Sequence, residues 1–222
     1  MDPMRLLADQ RCVLCEQRGA LLCRPCRRSL PWLRGPLCPR CGEPDPHERV
    51  QCVVCGRLSA AVSSARSALA HDGGGGALVR AWKDAARVPV ADVAAACVLG
   101  AVPRPAADVL VPVPGARARV AWRGVDGPAA LADLLGRGWG LPVRHDVLAR
   151  VRDRPQRGLS AAARRRNAVG SMVATGRVAG VVVLIDDVLT TGATVRAAAH
   201  HLRRAGADRV EVVTFVRVAT IP

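Results

Sequence analysis

A chain of 222 residues has room for one mid-sized domain and a small one, and its 33 basic against 18 acidic residues leave a net charge of +15 that draws phosphate-bearing partners, nucleic acid above all. Four Trp, one Phe and no Tyr mean that the core has to be built from Val, Leu and Ala. No apolar run approaches the roughly 18 residues that cross a bilayer, and Met1-Asp2-Pro3-Met4-Arg5 lacks the apolar core of a signal peptide, so a cytoplasmic protein without a transmembrane segment is expected.

All but one of the basic residues are Arg, so a general compositional bias competes with nucleic-acid binding as the source of the charge. Eight of the nine cysteines form four Cys-x-x-Cys pairs: Cys12/Cys15, Cys23/Cys26, Cys38/Cys41 and Cys52/Cys55. In a reducing compartment that pattern means metal rather than disulfides. Each pair sets two thiolates on one side of a tight knuckle, and two knuckles make a tetrahedral zinc cage. Sequential pairing gives one site of Cys12, Cys15, Cys23 and Cys26 and a second of Cys38, Cys41, Cys52 and Cys55. Interleaved pairing would thread two loops past each other. The region has too few aliphatic residues for a core of its own, so two structural zinc ions supply its folding energy. Arg24, Arg27, Arg28, Arg34 and Arg40 give it a basic side, either a solvated face or a binding one.

Residues 59–71 read as a connection, and the run Gly73-Gly74-Gly75-Gly76 as a flexible turn. No Lys-Ser or Lys-Thr follows the glycines, which excludes a nucleoside-triphosphate loop. Helices are expected over 77–86 and 90–99. The first holds Lys83, the only lysine of the chain, and the second holds Cys97, read as a small buried hydrophobe. Residues 108–113 read as a strand, followed by a loop with Arg117, Arg119, Trp122, Arg123 and Gly124. Pro128 suits the first turn of a helix to about Arg137, and 143–148 suit another strand. Between Arg150 and Arg166 lie seven arginines and one acid, Asp153. This stretch is either a solvated loop or a lid of cationic groups and Gln156 over a phosphate-rich ligand or nucleic-acid backbone.

The most informative stretch runs from Gly180 to Thr194. Five aliphatic residues, Val181 to Ile185, read as a strand of a parallel sheet buried on both faces. Asp186 and Asp187 follow, then the loop Thr190-Thr191-Gly192-Ala193-Thr194, then a helix to Ala205, and 209–216 form a last strand. A parallel strand delivers its carboxyl end to the crevice where open α/β sheets bind ligands. Gly192 admits close approach, and the helix start with its threonine hydroxyls favours a phosphate. The carboxylates would repel that phosphate. They suit sugar hydroxyls, or a Mg²⁺ shared by the sugar and a pyrophosphate.

This run resembles the phosphoribosyl-pyrophosphate signature of type I phosphoribosyltransferases from Val183 to Thr194. The resemblance implies that Asp186 and Asp187 are the catalytic carboxylates that hold the ribose hydroxyls. It implies that Thr190, Thr191, Gly192, Ala193 and Thr194 wrap the 5′-phosphate. Mg²⁺ and pyrophosphate would be held by Asp186 and the Arg-rich loop, with Lys83, Arg117, Arg119 and Arg123 as phosphate candidates.

Three features together resemble the ComF family of competence-associated proteins: the cysteine array, the segment Pro155-Gln156-Arg157-Gly158-Leu159-Ser160 to Arg164-Arg165-Arg166-Asn167, and the terminal signature. The family is linked to natural transformation and the handling of incoming single-stranded DNA, with a helicase partner and recombination proteins. Trp122, Arg154, Arg157, Arg164, Arg165 and Arg166 are then the nucleic-acid candidates. Two departures stand out. The family's Arg-Gly-Phe-Asn-Gln element reads Arg123-Gly124-Val125-Asp126-Gly127 here, and Thr190 replaces the Asp that purine phosphoribosyltransferases turn towards the base. Thr190 argues against purine salvage, and little chain after Phe215 remains to build a base-specific hood.

The expected architecture is α/β: a type I phosphoribosyltransferase-like parallel sheet flanked by helices over 59–222, preceded by a double zinc ribbon over 1–58. The expected function is binding of phosphoribosyl pyrophosphate or ribose 5-phosphate with Mg²⁺, in natural competence and single-stranded DNA handling. The alternatives are an active transferase on a nucleobase-like acceptor and a zinc-ribbon, ligand-sensing regulator.

Overall fold

The computed structural model describes residues 10–44, 52, 54–55, 58–84, 90–116, 120–121, 124–151 and 172–218. The elements are α1 (Arg24–Arg28), β1 (Ser64–Ala70), α2 (Gly73–Asp84), α3 (Val90–Ala101), β2 (Val109–Pro112), α4 (Gly127–Trp139), β3 (Leu148–Arg150), β4 (Met172–Ala174), β5 (Val181–Leu189), α5 (Ala193–Arg204) and β6 (Arg209–Arg217). Four strands form one parallel sheet in the order β1-β6-β5-β2. β3 and β4 make a separate antiparallel pair. The architecture is the expected parallel sheet with flanking helices, joined to a cysteine-rich N-terminal module.

The central strand β5 is buried on both faces because its aliphatic run serves two cores. Val183 and Ile185 pack with Leu78, Val79 and Trp82 of α2, with α3, and with Leu131, Leu135 and Trp139 of α4. Val182 and Leu184 pack with Val195, Ala198, Ala199 and Leu202 of α5 and with Leu148 and Met172 of the β3–β4 pair. Val, Leu and Ala dominate both cores, as the shortage of aromatics requires.

Several local expectations are corrected. Residues 59–71 contain strand β1, whose Ser and Ala residues gave no hydrophobic alternation to read. The four glycines are the first turn of α2 rather than a flexible turn. Packing explains them: a Cβ on Gly75 would fall 2.1 Å from the Ala70 carbonyl oxygen, so only glycine lets the helix start hard against the end of β1. The expected strand over 143–148 reduces to a single bridge, Val143 with Leu110, and pairing resumes at Leu148.

Both edges of the sheet are covered, as exposed strand edges must be. Beside β2, Leu110 donates to the Pro142 carbonyl and accepts from the Arg144 amide, each at 2.9 Å. At β1 the cover comes from the cysteine-rich module. Ala70 donates to Pro31 at 2.9 Å and Leu33 to Ala68 at 3.0 Å, while Ala65 donates to Arg40 at 2.8 Å. Among the described residues no helix is long and apolar enough to cross a membrane.

Candidate functional site

β5 runs four residues beyond its aliphatic stretch and carries the acidic pair within the strand itself. Successive side chains of a strand point to opposite faces. Asp187 therefore emerges on the side of Val183 and Ile185, where α2 lies, and its Oδ2 is 3.0 Å from Lys83 Nζ. Asp186 emerges on the other side, 8% exposed, and its Oδ1 accepts the Asp187 amide at 2.8 Å.

The two carboxylates are driven apart in acidity. Burial, then the charge of Asp187, pushes the Asp186 pKa well above 3.8. Burial acts the same way on Asp187, but the charge and hydrogen bond of Lys83 outweigh it and hold that pKa below 3.8. The fold thus pushes the pair in opposite directions, Asp186 towards its protonated form and Asp187 towards its anion.

Beyond Leu189 the chain turns through Thr190, Thr191 and Gly192 into α5. Gly192 is the N-cap residue with φ of 70° and supplies no side-chain cap. The first amides of a helix lack intrahelical partners, and the helix dipole makes them an anion seat. Thr190 is exposed, Thr191 and Thr194 are half-buried and Ala193 is buried. Val195 and Ala198 anchor the helix below them.

The turn after β2 lies beside the end of β5, since the Val113 amide donates to the Ile185 carbonyl at 2.8 Å. The turn is held by two residues that the sequence reading did not assign to it. Asp126 Oδ2 accepts the Gly115 amide at 2.9 Å, and Arg150 Nε donates to the Pro114 carbonyl at 3.1 Å. Among the described residues, the buried Asp126 Oδ1 has no hydrogen-bond partner. The sequence signal for Asp126 was present, because an Asp immediately before Gly-Pro suits a helix start, and it is the N-cap residue of α4. Arg117, Arg119, Trp122, Arg123, Arg154, Arg157, Arg164, Arg165 and Arg166 lie outside the described residues.

The cysteines form two tetrads, Cys12, Cys15, Cys23 and Cys26, and Cys38, Cys41, Cys52 and Cys55, with the sulfurs of each within 4.8 Å of one another. This is the sequential grouping. Cys15–Cys23, Cys38–Cys55 and Cys41–Cys52 approach to 3.6, 3.4 and 3.6 Å, close to the roughly 3.8 Å edge of a tetrahedron with four zinc–sulfur bonds. Burial opposes ionisation of Cys12, but backbone N–H groups around it, Cys23 first, bring its thiol down to about 6. Cys38 comes down to about 7 against the same burial, through the amides of Cys41 and Arg40. Both tetrads fit zinc. Cys97 stands apart in α3, its thiol pushed up to about 11 by burial.

Residues 137–220 match the family model of the phosphoribosyl transferase domain, and residues 4–59 match that of the double zinc ribbon domain. No curated protein matches the chain. Sixteen solved chains are similar, among them the following two. One is glutamine phosphoribosylpyrophosphate amidotransferase from B. subtilis complexed with ADP and GMP, at 26% identity over 58% of this chain, with a TM-score of 0.36. The chain spans only 26% of that protein's length. The other is purine phosphoribosyltransferase from Pyrococcus horikoshii Ot3, at 18% identity over 57% of this chain and 81% of that one, also with a TM-score of 0.36.

Proposed function

We propose that the crevice at the end of β5 binds phosphoribosyl pyrophosphate or ribose 5-phosphate. The observation that carries this reading is the juxtaposition of two buried-to-half-buried carboxylates, Asp186 and Asp187, with the uncapped N-terminus of α5 only six residues on from Asp187. A ligand with a sugar diol at one end and a phosphate at the other satisfies both halves. The diol goes to Asp186 and Asp187, and the phosphate to the amides and hydroxyls of Thr190, Thr191, Gly192, Ala193 and Thr194.

Mg²⁺ fits the same crevice, since carboxylate, hydroxyl and phosphate oxygens are the donors it takes. When bound it would neutralise charge on a departing pyrophosphate. The chain's own contribution is orientation of the sugar and compensation of charge, with Lys83 beside the diol and Asp126 holding the turn at Gly115. Calorimetry with phosphoribosyl pyrophosphate and with ribose 5-phosphate, with and without Mg²⁺, tests the reading. Micromolar to millimolar binding that Asp187→Asn abolishes is expected, and the absence of heat with either ligand overturns it.

The cysteine array and the 155–167 segment support a ComF-like role in natural competence, with single-stranded DNA, a helicase and recombination proteins as partners. The ribbon adds a supporting feature, because Arg34 stands 5.4 Å over the Trp32 ring and α1 carries exposed Arg24, Arg27 and Arg28 without an acid. Such a surface attracts a phosphate backbone. Gel shifts across a salt series test it, and no shift at the lowest salt removes it. Turnover on a nucleobase-like acceptor is the further possibility of the same site, and product formation from phosphoribosyl pyrophosphate in a base panel tests it. The working division of labour is a zinc module over 1–58 and a ligand-binding domain over 59–222.

A further inference from the structure

We infer that Lys83 is a built-in counter-cation of Asp187, offsetting its charge and keeping a free divalent ion off that carboxylate. The inference rests on the ribose-phosphate reading for its ligand but not for its geometry.

Lys83 is placed by packing rather than by the ion pair. It lies in the last turn of α2, directly after Trp82, which is 7% exposed. The Trp82 ring meets Phe215 of β6 edge-on at 6.0 Å and covers the start of α4 closely enough that a Cβ on Gly127 would sit 3.3 Å away. With Trp82 locked between a strand and a helix, the next residue is aimed at the end of β5. Its ammonium reaches Asp187 Oδ2 at 3.0 Å, with the side chains 32% and 19% exposed.

Charge explains why a cation is needed there. The Asp187 carboxylate stands partly exposed at the end of β5, where by itself it attracts a bare divalent cation and repels an incoming phosphate. One ammonium on Asp187 offsets both effects, and the bond to Asp187 uses only one of its three N–H donors. The others can meet a hydroxyl or pyrophosphate oxygen on the same side. A chain that is otherwise built with Arg has its only Lys at this position. A compact ammonium fits beside a sugar where the broad planar fork of a guanidinium would compete for the space. The site so built accepts a sugar phosphate, or its metal chelate, in preference to metal alone.

The test uses the full zinc-loaded chain and Mn²⁺ as the probe, read by the electron-spin signal of the free ion, with ribose 5-phosphate binding measured in parallel without divalent metal. The native chain is expected to leave the Mn²⁺ signal unchanged. Lys83→Met is expected to bind Mn²⁺ and to hold ribose 5-phosphate about tenfold more weakly, whereas Lys83→Arg, which keeps the charge, still excludes the ion. The double variant Lys83→Met/Asp187→Asn removes both charges and is expected to lose the Mn²⁺ site again. If Lys83→Met does not fold, acetylation of the single lysine, read by mass spectrometry, compares the native chain with Asp187→Asn. Faster labelling of Lys83 in Asp187→Asn supports the inference, and equal labelling overturns it. It is equally overturned if the native chain and Lys83→Met bind Mn²⁺ alike. If the native chain excludes Mn²⁺, Lys83→Met takes it up and neither binds ribose 5-phosphate, the counter-cation stands and the ribose-phosphate reading falls.

Discussion

Asp186 and Asp187 are identical in chemistry and adjacent in sequence, yet the alternation of β5 gives them opposite surroundings, and that difference has a measurable sign. Because burial raises the pKa of Asp186 above 3.8, the folded state keeps a proton that the unfolded chain has already lost. Stability contributed at this position is therefore greatest below pH 3.8 and declines as pH rises towards the folded-state value. Asp187 works in the opposite sense, since its lowered pKa gives stability that is present above 3.8 and lost as pH falls. Asp186→Asn should flatten the decline on the alkaline side and raise the melting temperature at pH 7, while weakening ribose 5-phosphate binding. Melting curves from pH 4 to 8 check it, and a variant less stable than the native chain at pH 7 contradicts it. Gly192 offers a second residue-scale measurement. It needs φ of 70°, but a Cβ there would meet nothing closer than Val195 at 3.8 Å. Gly192→Ala should therefore cost only the backbone term of about 1–2 kcal/mol, visible as a modest shift in a urea titration, and larger losses would point to an unrecognised contact. The carboxylates and the threonine–glycine turn were legible in the sequence because they are contiguous. Lys83 was recognised as unusual, but its partner lies over a hundred residues away, and nothing local in a sequence encodes that distance.

At the scale of elements, α2 shows how packing overrides local preference. Four glycines in a row are poor helix material, each costing about 1 kcal/mol relative to Ala, and they read naturally as a turn. They become helical because β1 ends within contact distance and only a residue without a Cβ can start the helix there. The helix is then held at its far end by Trp82. Trp82→Ala should cost about 3–5 kcal/mol and should also release Lys83 from Asp187, so stability and ribose 5-phosphate affinity fall together. Trp82→Phe, which keeps part of the contact with Phe215, should lose less of both. Chemical denaturation paired with calorimetry separates these outcomes, and an alanine variant that binds as tightly as the native chain shows that Trp82 does not aim Lys83. The same contrast explains which elements could be read in advance. β5 and α3 announce themselves by aliphatic composition, whereas β1 is Ser-Ala-Arg-Ser-Ala-Leu-Ala, a strand whose identity depends on pairing with β6 and on the module that covers its edge.

At the scale of the whole molecule, the zinc module is part of the sheet's architecture rather than an appendage, and the link is a buried charge. Arg217, the last residue of β6, is 4% exposed and its side chain pairs with that of Glu43, 1% exposed, just after the Cys38/Cys41 knuckle. The same guanidinium donates to the Cys41 carbonyl at 2.5 Å. In register, Arg217 lies opposite Leu189 of β5, and the next amide, Val218, donates to the Leu189 carbonyl at 2.9 Å. One residue further along β5 begins the Thr190–Thr194 turn. Glu43→Gln would leave the arginine buried against an uncharged partner, and breaking a buried pair in this way costs about 3–5 kcal/mol. Loss of zinc from the second tetrad should act along the same route, because the knuckle that presents Glu43 and the Cys41 carbonyl keeps its shape only around the metal. The first tetrad meets the sheet elsewhere, through Pro31 and Leu33 on β1, two strands from β5. Cys52→Ser should therefore lower both the melting temperature and the affinity for ribose 5-phosphate, while Cys15→Ser should lower the melting temperature with much less effect on the ligand. Zinc content by metal analysis confirms which site has been emptied, and equal losses of ligand affinity in the two variants would mean that Arg217 does not transmit the state of the ribbon to the Thr190–Thr194 turn.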